Sequence, residues 1–399
     1  MKNIAFIFPA GCYPVPAIKG GAVETLITNL IKENEKNKKF IFHVIMCKYK
    51  SDKTNYDYSG YKYTKFYDFY QGDKQFKFDR LVNAINKRLN YTIDFYSPYE
   101  KFIIRTVKDI NPEQIIFEGT FNVSVKKLKK LFSKEKIILH VHHQILPKYK
   151  LDKHIGSMLC VSEFIKQDWI DSGKMSENFD YKVLNNVLTS DNFFNKISNK
   201  EKKELRLKYN LSDEDFVLVY CGRLVKEKGI GVLINAIKNL KEKNIKLMII
   251  GESGFKNSNI TPFVSEIKEM VCDDERVFFT GFIDNHELYK YYSIANLQVI
   301  PSLCEESAGL VALEGRAVGL PQLITNSGAL PDYASKKAVI VNKEKNLQEN
   351  LESEIQNFFN GKYSKDIKSE NNIPGAKEYF EKFCELFLEN KNERGKNEK

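Results

Sequence analysis

The sequence predicts an α/β protein built from two doubly wound domains, each around a parallel sheet. Short apolar runs alternate with helix-period segments almost throughout, the pattern of β-α-β units. The chain has 399 residues, and at roughly 100–200 residues per domain that length calls for two domains. Apolar periodicity lapses across Asn186–Lys200, where Asn, Ser and Thr cluster and a linker is expected.

In the first half, strands are expected at Asn3–Phe8, Phe40–Cys47, Gln114–Phe117, Ile137–Val141, Gly156–Val161 and Tyr181–Leu184. Val23, Leu26, Ile27, Leu30 and Ile31 recur at helical spacing between the first two. In the second half, strands are expected at Phe216–Tyr220, Lys246–Ile250, Val277–Thr280, Leu297–Ile300 and Gln322–Thr325, with helices such as Gly231–Lys243 and Glu287–Tyr292 between them. Tyr379, Phe380, Phe383, Leu386 and Phe387 form the apolar face of a terminal helix that must pack on something, and the Lys/Asn/Glu-rich tail beyond it is expected to fray.

An apolar share of 42% excludes a disordered or collagen-like chain. No run approaches the roughly 18 apolar residues of a membrane span. Ile4–Phe8 is too short for a signal h-region, so it reads as a first strand. The seven cysteines (Cys12, Cys47, Cys160, Cys221, Cys272, Cys304 and Cys384) are scattered, odd in number and never paired as C-x-x-C. Free thiols in a reducing cytoplasm are the expectation, not a disulfide or zinc framework. The net charge of +10 is uneven: 31 basic face 20 acidic residues up to Leu188, and 31 face 32 thereafter. The basic first half suggests an anionic partner: nucleic acid, lipid headgroups or a phosphorylated substrate.

The informative residues lie in the second half. Gly222-Arg223-x4-Lys228-Gly229 follows a strand and precedes a helix, at the strand end where doubly wound sheets bind ligands. Gly222 allows a sharp turn, and Arg223 and Lys228 bring a forked donor and a point charge suited to phosphate; the alternative is two solvated loop cations. Glu306 and Glu314 flank the small residues Ser307, Ala308 and Gly309 where a helix begins after Leu297–Ile300. Backbone N–H groups there suit phosphate. An acid at the strand end could hold sugar hydroxyls, and one two turns into the helix could hold a ribose diol. Glu305 reads as an acid that complements the helix dipole. Asp213-Glu214-Asp215 precedes a strand, at the wrong end for a metal site, and reads as a solvated turn.

Glu306-x7-Glu314, Gly222-Arg223-x4-Lys228-Gly229 and Gly20-Gly21-x2-Glu24, with Gly281-Phe282, Ala317-x-Gly319-x-Pro321 and Ser162, occur in family order. The set resembles the retaining nucleotide-sugar glycosyltransferases of family four, of the bacterial surface-polysaccharide type. That resemblance implies the GT-B fold, two Rossmann-like doubly wound parallel-sheet domains facing across a cleft. Residues 1–188 would be the acceptor-side domain and 189–374 the nucleotide-sugar domain. A terminal helix over 375–389 would pack back on the first, and 390–399 would be a frayed tail. It implies that Arg223 and Lys228 stabilise the leaving diphosphate and that Glu306 holds sugar hydroxyls near the reacting carbon. Gly222 and the amides of Ser307, Ala308, Gly309 and Leu310 would hold the donor, Glu314 its ribose, and Phe282 and Ile283 its base. Gly20 and Gly21 would let the first loop close on the phosphates, and His142 would face the donor sugar. No cofactor or metal is expected. Ala308 stands where the family often has an aromatic, and Asn186-Val187 where it usually has Asn-Gly.

The implied function is a retaining, metal-independent hexosyltransferase (EC 2.4 type). It would move a hexose or N-acetylhexosamine from a UDP-sugar or other nucleotide sugar to a glycan or lipid-linked acceptor. A catalytically silent binding subunit and a nucleotide-sugar epimerase on the same fold are the alternatives. Residues 48–102 carry 16 aromatics and a net charge of +4, and Lys126, Lys127, Lys129 and Lys130 form a second basic cluster. In this context anionic membrane, at the inner face of the cell membrane, is the expected partner of the basic domain, not nucleic acid. Ordinary packing and a solvated helix face are the plain alternatives.

Overall fold

The computed structural model describes residues 1–18, 21–49, 54, 56–88, 96–119, 124–144, 151–252, 261–363 and 373–388. It falls into two compact units: residues up to Thr189 together with the segment from Ala376, and Ser190–Gly375.

The first unit begins β1 (Lys2–Ile7), α1 (Ala22–Asn37), β2 (Phe40–Tyr49), β3 (Thr64–Gln71), α2 (Asp73–Arg88), α3 (Pro98–Ile110) and β4 (Gln114–Glu118). It continues α4 (Ser124–Leu131), β5 (Ile137–Val141), β6 (Ser157–Cys160), α5 (Glu163–Asp171) and β7 (Asp180–Val183). The strands form one all-parallel sheet in the order β3-β2-β1-β4-β5-β6-β7. The order reverses between β1 and β4, which makes the carboxyl ends of those strands the natural ligand crevice.

Local chemistry sets the boundaries. Asn34 is fully buried; its Oδ1 accepts from the N–H of Phe40 at 3.0 Å and its Nδ2 donates to the Phe40 carbonyl at 3.0 Å, so α1 stops and β2 starts in a fixed register. Ser97 and Glu100 form a capping box ahead of α3, with Pro98 in the first turn. Ser162 caps α5 by accepting from the Ile165 N–H at 3.2 Å, a structural role for a residue singled out by resemblance.

In this unit β3 is the strand that hydrophobic runs did not reveal. Its sequence, Thr-Lys-Phe-Tyr-Asp-Phe-Tyr-Gln, alternates as an edge strand does and pairs with β2 from Thr64 to Gln71. Much of the basic-aromatic segment therefore packs internally. Tyr58 stacks on Phe66 at 4.1 Å, Phe69 lies against Tyr99 and Phe102, and buried Lys48 pairs with Asp68 at 2.7 Å. Residues 50–53, 55 and 89–95 of that segment lie outside the described residues. On α4, Val125 and Leu128 are buried while Lys127, Lys129 and Lys130 are exposed, as on a solvated face.

The second unit contains α6 (Asn199–Lys208), β8 (Phe216–Cys221), α7 (Ile230–Asn239), β9 (Ile245–Ile250), α8 (Pro262–Glu269), β10 (Val277–Gly281) and α9 (Leu288–Ser293). It ends with β11 (Leu297–Ile300), α10 (Leu310–Val318), β12 (Gln322–Thr325), α11 (Leu330–Tyr333), β13 (Val339–Val341) and α12 (Leu347–Phe359). All six strands are parallel, in the order β10-β9-β8-β11-β12-β13, with the reversal between β8 and β11. α7 ends at Asn239, short of the expected Lys243, because Leu240 turns to extended backbone. Leu218, Leu247, Ile249 and Val299 of the sheet, with Leu233, Ile237 and Leu351 of its helices, build the core.

The last described element, α13 (Ala376–Leu388), belongs to the first unit. Tyr379, Phe380, Phe383 and Phe387 are buried there against Phe6, Phe40 and Phe42, with ring centroids of Phe383 and Phe40 5.4 Å apart. The tail 390–399 lies outside the described residues. Among the described residues no helix is long and apolar enough to cross a membrane.

Candidate active site

In the second unit, glycines set the spacing at the strand ends. Gly229 opens α7 in the left-handed region (φ 71°), and a Cβ there would stand 1.9 Å from the Pro301 carbonyl oxygen. The α7 start is thereby pressed against the end of β11. The amides of Leu303 and Cys304 donate to the Glu227 carbonyl at 2.9 and 3.1 Å, closing the same junction. Gly251 (φ 140°) plays this part between β9 and β8, where a Cβ would lie 2.0 Å from the Gly222 carbonyl.

This junction brings Lys228 to Glu306. Lys228 Nζ donates to Oε1 and Oε2 of Glu306 at 2.6 and 2.7 Å, and the Ser302 hydroxyl also donates to Oε1. Both charged side chains keep some solvent exposure, 21% and 15%. The Glu306 segment is clamped from below: the Ser302 carbonyl accepts from Thr325 and Ser327 hydroxyls at 2.8 and 2.6 Å, and the Ala329 amide donates to the Glu306 carbonyl at 2.8 Å. Arg223 is exposed, with no hydrogen bond from its guanidinium among the described residues.

Gly309 caps α10, and the amides of Ala308, Gly309 and Leu310 donate to no acceptor among the described residues. They are the orphan donors of a helix start, with the positive end of its dipole. Because the helix begins at Leu310, Glu314 lies just over one turn in, not two. Its Oε2 accepts from the Tyr292 hydroxyl at 2.9 Å, and burial pushes its carboxyl up to about 7. Burial, then the Glu314 charge, pushes the Cys221 thiol at the end of β8 up to about 12. Phe282 and Ile283 follow β10 and are half-buried. The second unit thus gathers Gly222, Arg223, Lys228, Glu306, Glu314 and the Ser307–Leu310 backbone around the carboxyl ends of β8 and β11.

Glu305 pairs instead with Lys343. Asp215 accepts from the amide and hydroxyl of Ser212 at 2.6 and 2.9 Å, ahead of β8, so the acidic triplet is a turn.

In the first unit, Gly20 lies outside the described residues. Gly21 precedes α1, and a Cβ there would meet Glu24 Oε2 at 2.1 Å. The buried Glu24 carboxylate accepts from the Tyr13 amide at 3.1 Å, and Thr28 Oγ1 accepts from the Ala17 amide at 2.8 Å. Glu24 therefore laces the loop after β1 to α1, a structural reason for the acid in that motif. His142, just past β5, is 6% exposed, and its Nε2 lies 2.8 Å from Glu118 Oε2. Glu118 is the residue that sequence reasoning missed. An acid ending one strand beside a His-x-His strand would have signalled it, once the two strands were known to be neighbours.

Two parallel-sheet Rossmann-like units, with a cation–carboxylate pair and a free helix start at the strand ends of the second, have the fold of the GT-B class. Residues 201–376 match the model of the family described as "Glycosyl transferases group 1". It is 27% identical over 366 residues to an uncharacterised 41.2 kDa protein of the cps region of Klebsiella pneumoniae, covering 86% of this chain and 90% of that one. It is 24% identical over 208 residues to the lipopolysaccharide 1,2-N-acetylglucosaminetransferase of Salmonella typhimurium, covering 50% of this chain and 51% of that one. The chain spans about half the length of the first curated relatives it matches, 43% and 51%. Among solved structures, HepE of Anabaena in complex with UDP superposes with a TM-score of 0.65 at 16% identity, over 97% of this chain and 96% of that one.

Proposed function

We propose that the chain is a retaining hexosyltransferase of bacterial cell-surface polysaccharide synthesis. It takes a hexose or N-acetylhexosamine from a UDP-sugar and passes it to a glycan or lipid-linked saccharide. The observation that carries this reading is the Lys228–Glu306 pair, held at 2.6 Å beside the free amides that begin α10. UDP is favoured by its presence in the superposed HepE complex, and the product class by the lipopolysaccharide transferase relative.

The chemistry follows from the charges. The bond between the anomeric carbon and the diphosphate oxygen breaks, and its electron pair leaves with the diphosphate. Arg223, Lys228 and the α10 amides stabilise that developing charge, the work a metal does elsewhere. Lys228 is neutralised by Glu306 at rest, so an arriving diphosphate shares the cation and leaves Glu306 to accept from sugar hydroxyls. The acceptor hydroxyl oxygen bonds to the same face of the anomeric carbon, and its proton passes to the departing phosphate oxygen. Glu314 holds the ribose, Phe282 and Ile283 border the base, and His142 meets the donor sugar.

The first unit would meet anionic lipid on the inner face of the cell membrane through α2. Phe78, Leu81 and Ile85 are exposed there at helical spacing, and Lys74, Lys77 and Arg88 lie on the same helix. Flotation at low salt tests this contact; equal recovery with neutral and anionic vesicles contradicts it.

The transfer itself is tested with a panel of UDP-, GDP-, ADP- and dTDP-sugars, following nucleotide release and the anomeric configuration of the product. Release from one UDP-sugar with retained configuration supports the reading. Inverted product, or epimerised donor without acceptor, overturns it.

A further inference from the structure

Glu118 ends β4, and His140 lies directly across from it in the β4–β5 ladder. His142 is two residues further on, just past the end of β5, so the three side chains share one face of the sheet. One ligand atom from each lies within 4.8 Å of the other two. Glu118 Oε2 is 2.9 Å from His140 Nδ1 and 2.8 Å from His142 Nε2. The imidazole centroids are 4.1 Å apart. Relative exposures are 2% for Glu118, 1% for His140 and 6% for His142.

Hydrogen bonding leaves this cluster incomplete. Among the described residues neither ring nitrogen of His140 makes a hydrogen bond, since Nδ1 approaches the carboxylate out of alignment, and His142 Nδ1 and Glu118 Oε1 are likewise without partners. Buried polar atoms are normally satisfied, and a cluster with four orphaned atoms asks for a further group. An anion is excluded by the carboxylate. A divalent cation meets a donor set that suits it: one carboxylate and two imidazoles.

We propose that Glu118, His140 and His142 form a three-ligand site for a divalent transition metal of the zinc class. Glu118 Oε2, His140 Nδ1 and His142 Nε2 are the ligand atoms. Ligand bonds of about 2.0–2.2 Å in a tetrahedral site put ligand atoms on the order of 3.3 Å apart, so an ion needs only a slight opening of the contacts seen here. Two imidazoles and one carboxylate favour zinc, cobalt or nickel over magnesium, which seeks oxygen ligands. The Gly119 amide donates to the His140 carbonyl at 2.8 Å, so the ladder holds both strands rigid up to the ligands. The ion departs from the metal-free expectation of the sequence. It leaves His142 Nδ1 for a sugar hydroxyl, and its binding stands independently of the transferase reading.

The test uses the full chain produced in cobalt-supplemented medium, which spares a buried site any slow entry. One tightly held Co²⁺ per chain with the intense visible absorption of a four-coordinate ion is expected. Glu118→Gln and His140→Ala should each weaken binding by at least about 100-fold, more than loss of an outer-shell partner does, while His286→Ala on the surface leaves it unchanged. Should the alanine variant fail to fold, His142→Cys keeps the question open to measurement. A thiolate–cobalt charge-transfer band must then appear in the near ultraviolet. No bound cobalt, a weak six-coordinate spectrum, or binding indifferent to Glu118→Gln with no new band in His142→Cys overturns the proposal.

Discussion

Gly229 and Pro301 are in backbone contact so close that a Cβ on the glycine would stand 1.9 Å from the proline carbonyl oxygen. That contact, between the start of α7 and the end of β11, is what carries Lys228 to Glu306 across 78 residues of sequence. No rotamer change can relieve an atom placed against backbone, and φ 71° adds strain for any L side chain. Gly229→Ala should therefore cost at least about 2 kcal/mol of second-unit stability. Nucleotide-sugar binding should fall with it, read by urea unfolding and calorimetry.

Glu314 sets a pH dependence. Its carboxyl is raised from 4.5 to about 7 by burial, with the Tyr292 hydrogen bond pulling the other way. Between those values the folded chain holds a proton that the unfolded chain has lost. Stability from this group is full below the unfolded pKa and is lost as pH rises through the folded one. Glu314→Gln should flatten that slope, seen in unfolding midpoints at about pH 5 and about pH 7.5. A ribose diol donating to the carboxylate favours its charged form. UDP binding should then release a proton near about pH 6.5, visible as a buffer-dependent calorimetric heat. The same heat in all buffers contradicts the assigned ribose contact.

A buried amide pair fixes α10. Gln298 Nε2 donates to the Val311 carbonyl at 2.8 Å, and Gln322 Nε2 donates to Gln298 Oε1 at 2.6 Å and to the Ala312 carbonyl at 2.8 Å. A Cβ on Gly315 would lie 2.0 Å from Gln298 Oε1. Gly315→Ala should destabilise by about 1–3 kcal/mol. With Gln298→Ala added, the total should fall short of the sum of the two by about 1 kcal/mol, because truncating Gln298 removes the clash that Gly315→Ala creates. Strict additivity contradicts this.

The parallel sheets were legible because buried strands read as continuous apolar runs, as in Ile4–Phe8 and Lys246–Ile250. β3 was not, since an edge strand holding Lys65 and Asp68 has no such run, and β13 is only three residues long. Arg223, Lys228, Glu306 and Glu314 could be picked out by motif, but that Lys228 bonds Glu306 is a fact of long-range packing around Gly229. Glu118 escaped notice because its partners are across a ladder. Sequence shows His140 and His142 alternating on one face, and only the order of β4 and β5 puts the acid beside them.

α13 completes the first unit through a cluster of aromatic rings. Phe383 lies 5.4 Å from Phe40, 6.0 Å from Phe42 and 4.3 Å from Phe387, ring to ring. Phe383→Ala should cost about 3–5 kcal/mol. In scanning calorimetry the loss should fall on the first unit's transition and leave the second unit's in place.

The most direct test of the transferase account is titration of a UDP-sugar into the full chain and into Lys228→Met, Arg223→Ala and Asp213→Asn. Binding to the unaltered chain, lowered at least about 10-fold in the first two variants and unchanged in the third, is the predicted result. A UDP-sugar that binds equally well to all four chains, or to none, contradicts the assignment of the donor site to the carboxyl ends of β8 and β11.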